Sequence, residues 1–109
     1  MKTQNKVQLI GYVGKDPLIK TTSNGRKLAL IRVATDLFFT ALNGKKIKHT
    51  TWHDVIVWEK KAEIAANSFI TGSHILVEGR IVYRTYEDRT GHTRYVTEIK
   101  AESLMNLDR

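Results

Sequence analysis

The stretch Thr50-Thr51-Trp52-His53-Asp54-Val55-Ile56-Val57-Trp58-Glu59 constrains this chain more than any other. It is rich in β-branched and aromatic residues and reads as a strand. Side chains of a strand alternate between two faces. Trp52, Asp54, Ile56 and Trp58 therefore share one face, and His53, Val55 and Val57 share the other. Val55 and Val57 mark the core side. Asp54 requires that the tryptophan side be partly solvated. A strand of this kind belongs to a sheet that covers a core on one face and meets solvent on the other.

Turn signals divide the rest of the chain into short elements. Lys6 to Val13 reads as a strand with Val7, Leu9 and Gly11 on one side and Gln8, Ile10 and Tyr12 on the other. Gly14-Lys15-Asp16-Pro17 is a turn, and Ser23-Asn24-Gly25-Arg26 is a hairpin turn centred on Asn-Gly. Leu28 to Thr35 is a second strand whose Ala29, Ile31 and Val33 oppose Leu28, Leu30 and Arg32. Asp36 to Lys48 contains a second Asn-Gly, at Asn43-Gly44, and reads as a flexible hairpin loop before the tryptophan strand. Lys60 to Phe69 is the one helix candidate, because Ala62, Ala65, Ala66 and Phe69 follow the spacing of a single buried stripe. Gly72 is placed to end that segment. His74 to Arg84 and Arg94 to Ala101 are further strands, separated by the turn Asp88-Arg89-Thr90-Gly91.

Three strands, a short helix and two strands predict an all-β domain over residues 1–109, closed so as to hide its edges. The five-stranded Greek-key barrel with a helix between its third and fourth strands is the OB-fold. No repeat, low-complexity segment or linker interrupts it.

Charge narrows the class of partner. Of 109 residues, 18 are Lys or Arg and 11 are Asp or Glu, a formal charge of +7. Such an excess fits a nucleic-acid partner, and it also fits a merely solvated surface. Neither a disulfide nor a thiolate site is possible without cysteine. The segment Met1 to Lys6 has no apolar signal region. Nowhere does an apolar run approach the roughly 18 residues of a membrane span, so a cytoplasmic, nucleoid-associated protein with no membrane partner is expected. His49, His53, His74 and His92 are scattered, so no metal site or cofactor is expected. Asp16, Asp36, Asp54 and Asp88 form no paired-carboxylate motif, and no nucleophile elbow or phosphate-binding loop is present, so no catalytic residue is assigned.

In a basic chain, two indoles on a solvated face point to a flat, anionic ligand. Unpaired bases stack on such rings without sequence preference. Six residues of strand separate Trp52 from Trp58, about 20 Å of track. Each base–aromatic stack is worth about 1–3 kcal/mol.

The residues also resemble a family. Asn5-Lys6-Val7, Leu9-Ile10-Gly11, Gly14-Lys15-Asp16-Pro17, Val33-Ala34-Thr35 and Thr51-Trp52-His53 appear in order. They are followed by Lys60-Lys61-Ala62-Glu63-Ile64-Ala65, Val77-Glu78-Gly79-Arg80, Tyr86-Glu87-Asp88 and Thr97-Glu98-Ile99. Together they resemble the bacterial single-stranded DNA-binding proteins over about residues 4 to 101. The resemblance implies an OB-fold, a homotetramer, and wrapping of single-stranded DNA during replication, recombination or repair. Carried over by position, the base-stacking residues are Phe39, Trp52, Trp58 and Tyr86. His53 then lies near subunit contacts, and read alone it is a hydrogen-bonded histidine of the core or an interface. Two residues depart from the pattern: Asp54 stands where a basic residue is common, and Glu59 where a glycine is common. Both add negative charge beside the site. The family's long tail with an acidic, aromatic-ended tip is not represented in Leu104-Met105-Asn106-Leu107-Asp108-Arg109. Replication and repair proteins as partners are therefore left open by these residues.

Cations complete the predicted site. Arg80, Val82, Arg84 and Tyr86 share a strand face on which basic and aromatic groups interleave. The alternative is a solvated edge with arginine stems over apolar surface. Lys45, Lys46 and Lys48 are either phosphate contacts or a solvated charge run. Lys60 stands at the start of the helix, whose first N–H groups favour anions, and Lys20 is a further candidate. Two other readings use the same fold: a module that binds protein partners, as a primosome component does, and an RNA-binding barrel.

Overall fold

The computed structural model describes residues 2–108. Met1 and Arg109, the ends of the domain expected over 1–109, lie outside the described residues. The elements run β1 (Val7–Val13), β2 (Leu18–Thr21), β3 (Lys27–Thr40), β4 (Lys46–Trp58), α1 (Lys60–Ser68), β5 (His74–Glu87) and β6 (Thr93–Asn106).

Five of these strands close into a barrel. The order is β1-β5-β6-β4-β3, and β3 returns to β1 through Tyr12↔Ala34 and Val13↔Val33. Every neighbouring pair is antiparallel except β4 with β6, which run parallel at Val55↔Ile99 and Ile56↔Lys100. This is the OB-fold topology expected from the strand order. β2, a short strand the sequence reading did not separate from its turns, folds back on β3 through the Asn24-Gly25 hairpin and lies outside the ring. Closure needs close backbone approach at the bulge between Glu78 and Gly79. A Cβ on Gly79 would overlap the Lys100 carbonyl, so glycine is required there.

Alternation places the core where the pattern predicts. Val13, Ile31, Val33, Val55, Val57, Ile75 and Val77 are fully buried. Burial of each such side chain contributes up to about 1.5–3 kcal/mol. Ala62, Ala65 and Phe69 bring α1 onto this cluster with their predicted stripe, the two alanines being small enough for close approach. Ile56 is also buried, although it lies on the tryptophan side. It sits mid-sheet, opposite Leu30 of β3 and beside Lys100 of β6, where neighbouring side chains cover it.

The largest difference from expectation is the segment Asp36 to Lys48. It is an ordered ribbon rather than a flexible loop. β3 and β4 pair without interruption from Leu28↔Trp58 to Thr40↔Lys46. Only Ala41 to Lys45 turns, closed by the Ala41 N–H donating to the Lys45 carbonyl (2.8 Å). Leu37, Phe38, Phe39 and Ile47 are good strand formers, and they carry the ladder past the point where Asp36 reads as a loop residue. β5 and β6 likewise continue to Glu87 and Asn106, beyond the predicted ends at Arg84 and Ala101.

Candidate nucleic-acid interface

The outer face of the β3–β4 sheet holds both tryptophans. Trp52 is 49% exposed, and Trp58 is partly buried. Trp52 packs its six-membered ring against Gly14 so closely that any Cβ at Gly14 would overlap it. A glycine in the first turn thus fixes the attitude of the indole. His53 points the other way, is half-buried and shares a 2.9 Å hydrogen bond with the Thr35 hydroxyl, as a histidine on the core side should.

Each indole also carries an arginine that the sequence reading did not select. The Arg32 guanidinium lies 5.2 Å from the centre of the Trp52 ring, and that of Arg26 lies 4.3 Å from the centre of the Trp58 ring. Both distances suit cation–π attraction. Each arginine is in turn held by one of the two anomalous carboxylates. Arg32 Nε is 3.4 Å from Asp54 Oδ1, its in-register neighbour on β4. Arg26 Nε donates to Glu59 Oε1 at 3.0 Å. Asp54 and Glu59 are therefore not free negative charges but partners of Arg32 and Arg26. Glu59 keeps this place at φ 58°, the one positive φ of a non-glycine among the described residues. Such backbone costs about 1–3 kcal/mol and suits glycine.

Further along the sheet, strand alternation separates the two ribbon phenylalanines. Phe38 lies opposite Lys48 and shares the side of Arg32, Trp52 and Lys46; it is 69% exposed. Phe39 lies opposite Ile47 on the other side and is 48% exposed. Lys45, Lys46 and Lys48 are exposed, and none forms an ion pair among the described residues. The same is true of Lys20, Lys60 and Arg80. Beside Trp58, Lys60, Lys61 and Lys100 line a cleft of about 450 Å3. Lys61 donates to the Glu102 carbonyl at 2.8 Å. Lys100 reaches this place through the parallel β4–β6 pairing.

The β5–β6 ribbon uses its charges differently. Arg84 is bound by two N–H groups to Glu98, one of them at 2.9 Å, and Glu98 is only 3% exposed. Its guanidinium lies 5.9 Å from the Tyr86 ring. Arg94 donates to Asp88 at 2.7 Å. Asp88 also accepts from the Thr90 hydroxyl (2.7 Å) and from the N–H groups of Thr90 and His92, so it closes the hairpin turn predicted there. Those bonds, led by the Thr90 hydroxyl and Arg94, hold the Asp88 carboxyl down at about 2. Asp16 is likewise structural: it accepts from the Thr71 N–H and hydroxyl, and its pKa is lowered by them.

Exposed aromatics with neighbouring cations on the outer face of an OB barrel have the geometry that suits a single-strand track. The model of the single-strand binding protein family matches residues 4–107. The chain belongs to that family. Similar members include single-stranded DNA-binding protein 1 of Chlorobaculum tepidum, 34% identical over 104 residues, and the single-stranded DNA-binding protein of Bacteroides thetaiotaomicron, 38% identical over 105. Each alignment covers 94% of this chain and 64% or 65% of the relative, so the chain spans just under two-thirds of their length. Among solved structures, a Plasmodium falciparum SSB in complex with ssDNA matches with a TM-score of 0.81. Its identity is 28%, and the match covers 99% of this chain and 98% of that one. This single-strand binding family member thus keeps the family barrel while placing Arg–carboxylate pairs on its aromatic face.

Proposed function

We propose that this chain binds single-stranded DNA with little sequence preference, by stacking bases on exposed aromatic rings and neutralising phosphates with neighbouring cations. The observation that carries this reading is Trp52, half exposed on a continuous sheet face between the unpaired lysines of the ribbon and the cleft beside Trp58 that Lys60, Lys61 and Lys100 share with Glu59 and Glu102. Trp52, Trp58 and Tyr86 are the proposed stacking residues. On the β3–β4 ribbon the family position favours Phe39, and strand alternation favours Phe38. Lys20, Lys45, Lys46, Lys48, Lys60 and Arg80 are the proposed phosphate contacts, with Arg84 contributing only what its pairing with Glu98 leaves available. Protection of single strands in replication, recombination or repair is the role proposed from the family. So is a homotetramer. Ile10 and Tyr12 are both more than half exposed on the outer face of β1, where Tyr12 stacks on His74 with ring centres 4.7 Å apart, an apolar surface suited to self-association. The role of His53 at a subunit contact is proposed on the same basis. Among the described residues no helix is long and apolar enough to cross a membrane.

The test is binding of a fluorescently labelled dT oligomer by the parent chain and by the Trp52→Ala, Trp58→Ala double variant. Loss of two stacks is expected to weaken binding by about 2–6 kcal/mol, with duplex DNA competing poorly. Equal binding by both proteins would refute the stacking mechanism and favour a protein-interaction module.

A further inference from the structure

The two arginine–tryptophan–carboxylate clusters share one design at two places on the same face. In each, a guanidinium covers an indole and is held by a carboxylate on or just after β4. All four charged side chains are about half exposed, between 46% and 54%. The Arg84–Glu98 pair differs on that point, because its carboxylate is buried and removed from exchange with solvent.

Guanidinium binds carboxylate and phosphate through the same N–H groups and the same forked geometry. A phosphate reaching Arg26 or Arg32 therefore competes directly with Glu59 or Asp54. The guanidinium also occupies one face of each ring, so a base stacking on that face must displace it. In the free protein both binding elements, the cation and the ring face, are thus engaged by an internal group. Glu59 stays engaged at a backbone conformation that favours glycine, which fits a side chain retained for its contact with Arg26.

We infer that Asp54 and Glu59 act as internal stand-ins for backbone phosphates: they hold Arg32 and Arg26 over the indoles until the phosphodiester chain of a single strand takes the arginines over. This rests on the reading of the same face as a single-strand site and adds two ligands and two competitors to it. Arg26 and Arg32 are phosphate ligands. Asp54 and Glu59 lower the affinity of the chain, and each also keeps its tryptophan covered when no strand is bound.

The experiment is anisotropy of a labelled dT oligomer at one fixed salt concentration, with the parent chain and the variants Asp54→Asn, Glu59→Gln, Arg32→Gln and Arg26→Gln, and the pairs Arg32→Gln/Asp54→Asn and Arg26→Gln/Glu59→Gln. Exposed ion pairs have strengths that convert to about 1.5- to 5-fold in affinity. Asp54→Asn and Glu59→Gln are each expected to tighten binding by that factor. Arg32→Gln and Arg26→Gln are expected to weaken it and to make the salt dependence shallower by about 0.7 in log–log slope each. The gain from Asp54→Asn should shrink when Arg32 is already Gln, and the gain from Glu59→Gln should shrink when Arg26 is. A gain of equal size in both backgrounds overturns the inference, because it then reports bare repulsion between carboxylate and phosphate. Unchanged or weaker binding by Asp54→Asn and Glu59→Gln also overturns it, since the carboxylates would then be orienting the arginines for the strand. Thermal melting of each variant separates these outcomes from loss of fold. If the parent chain itself fails to bind dT, the single-strand reading falls and the inference with it. If the parent binds and the carboxylate variants gain nothing, the inference alone falls.

Discussion

On the β3–β4 ribbon, Lys45, Lys46 and Lys48 stand in solvent beside Phe38 with no ion pair among the described residues. On the β5–β6 ribbon, Arg84 and Arg94 are both bound to carboxylates, one of them the buried Glu98. The two ribbons are alike in composition, each interleaving basic and aromatic residues. They differ in whether these cations are available: Arg84 and Arg94 are paired, although Arg80 of β5 has no ion pair among the described residues. A buried carboxylate that has lost its arginine is left unpaired in a low-dielectric place, whereas a solvated lysine that is lost leaves nothing behind. One ribbon therefore leaves these lysines unpaired in solvent, and the other commits Arg84 and Arg94 to bonds that hold it folded.

The largest effect that sharpens this contrast is on stability. Arg84→Ala should cost about 2–3 kcal/mol, somewhat less than the about 3–5 kcal/mol of a fully buried pair because Arg84 itself is half exposed. Lys48→Gln should stay within about 0.5 kcal/mol. Thermal or urea melting compares them, and equal melting would remove the distinction between the ribbons. Next comes salt dependence of DNA binding. Changing Lys45, Lys46 and Lys48 together to Gln should make the log–log slope shallower by about 2, from three contacts at about 0.7 each. An unchanged slope in a salt titration would mean that the charge run is only solvated. A third comparison lies within the first ribbon. Phe38→Ala should weaken dT binding by about 1–3 kcal/mol, the value of one base stack, and Phe39→Ala should weaken it less. The reverse order would show that the ribbon twists enough to undo simple alternation.

The smallest expected effect is on pH. Asp88 has its folded pKa lowered from 3.8 to about 2. A lowered carboxylate pKa adds stability above the unfolded value, and that stability is lost as pH falls through the folded one. The Asp88–Arg94 turn should therefore loosen between about pH 4 and 2. Amide hydrogen exchange at Thr90 and His92 reads this directly, while the Ala41–Lys45 turn, closed by backbone bonds, should not respond in that window.

These contrasts show how far the sequence could be read. The tryptophan strand, the alanine stripe of α1 and the valine and isoleucine core were legible because each is a local period of two or of 3.6. The ribbon was missed because Asp36 and Asn43-Gly44 read as loop signals, and what overrides Asp36 is a ladder whose partner strand begins only at Lys46. The same extension of β3 sets Phe38 and Phe39 on opposite sides, a distinction that carry-over by family position does not make. Arg32 was set opposite Ala29, Ile31 and Val33 but given no role, because its neighbour Asp54 is 22 positions away in the chain and is fixed only by strand register. Arg26 at Trp58, Lys100 at the cleft and Glu98 on Arg84 are likewise products of long-range pairing. The side-chain types pointed to the chemistry, and the register determined which of them can meet it.

The central claim is that unpaired bases land on Trp52 and Trp58. Titrating the protein with a dT oligomer at low salt while following intrinsic tryptophan emission tests it with no substitution at all. Saturable quenching, reversed by added salt, is the predicted result. Emission that stays constant up to a large excess of oligomer would contradict the account.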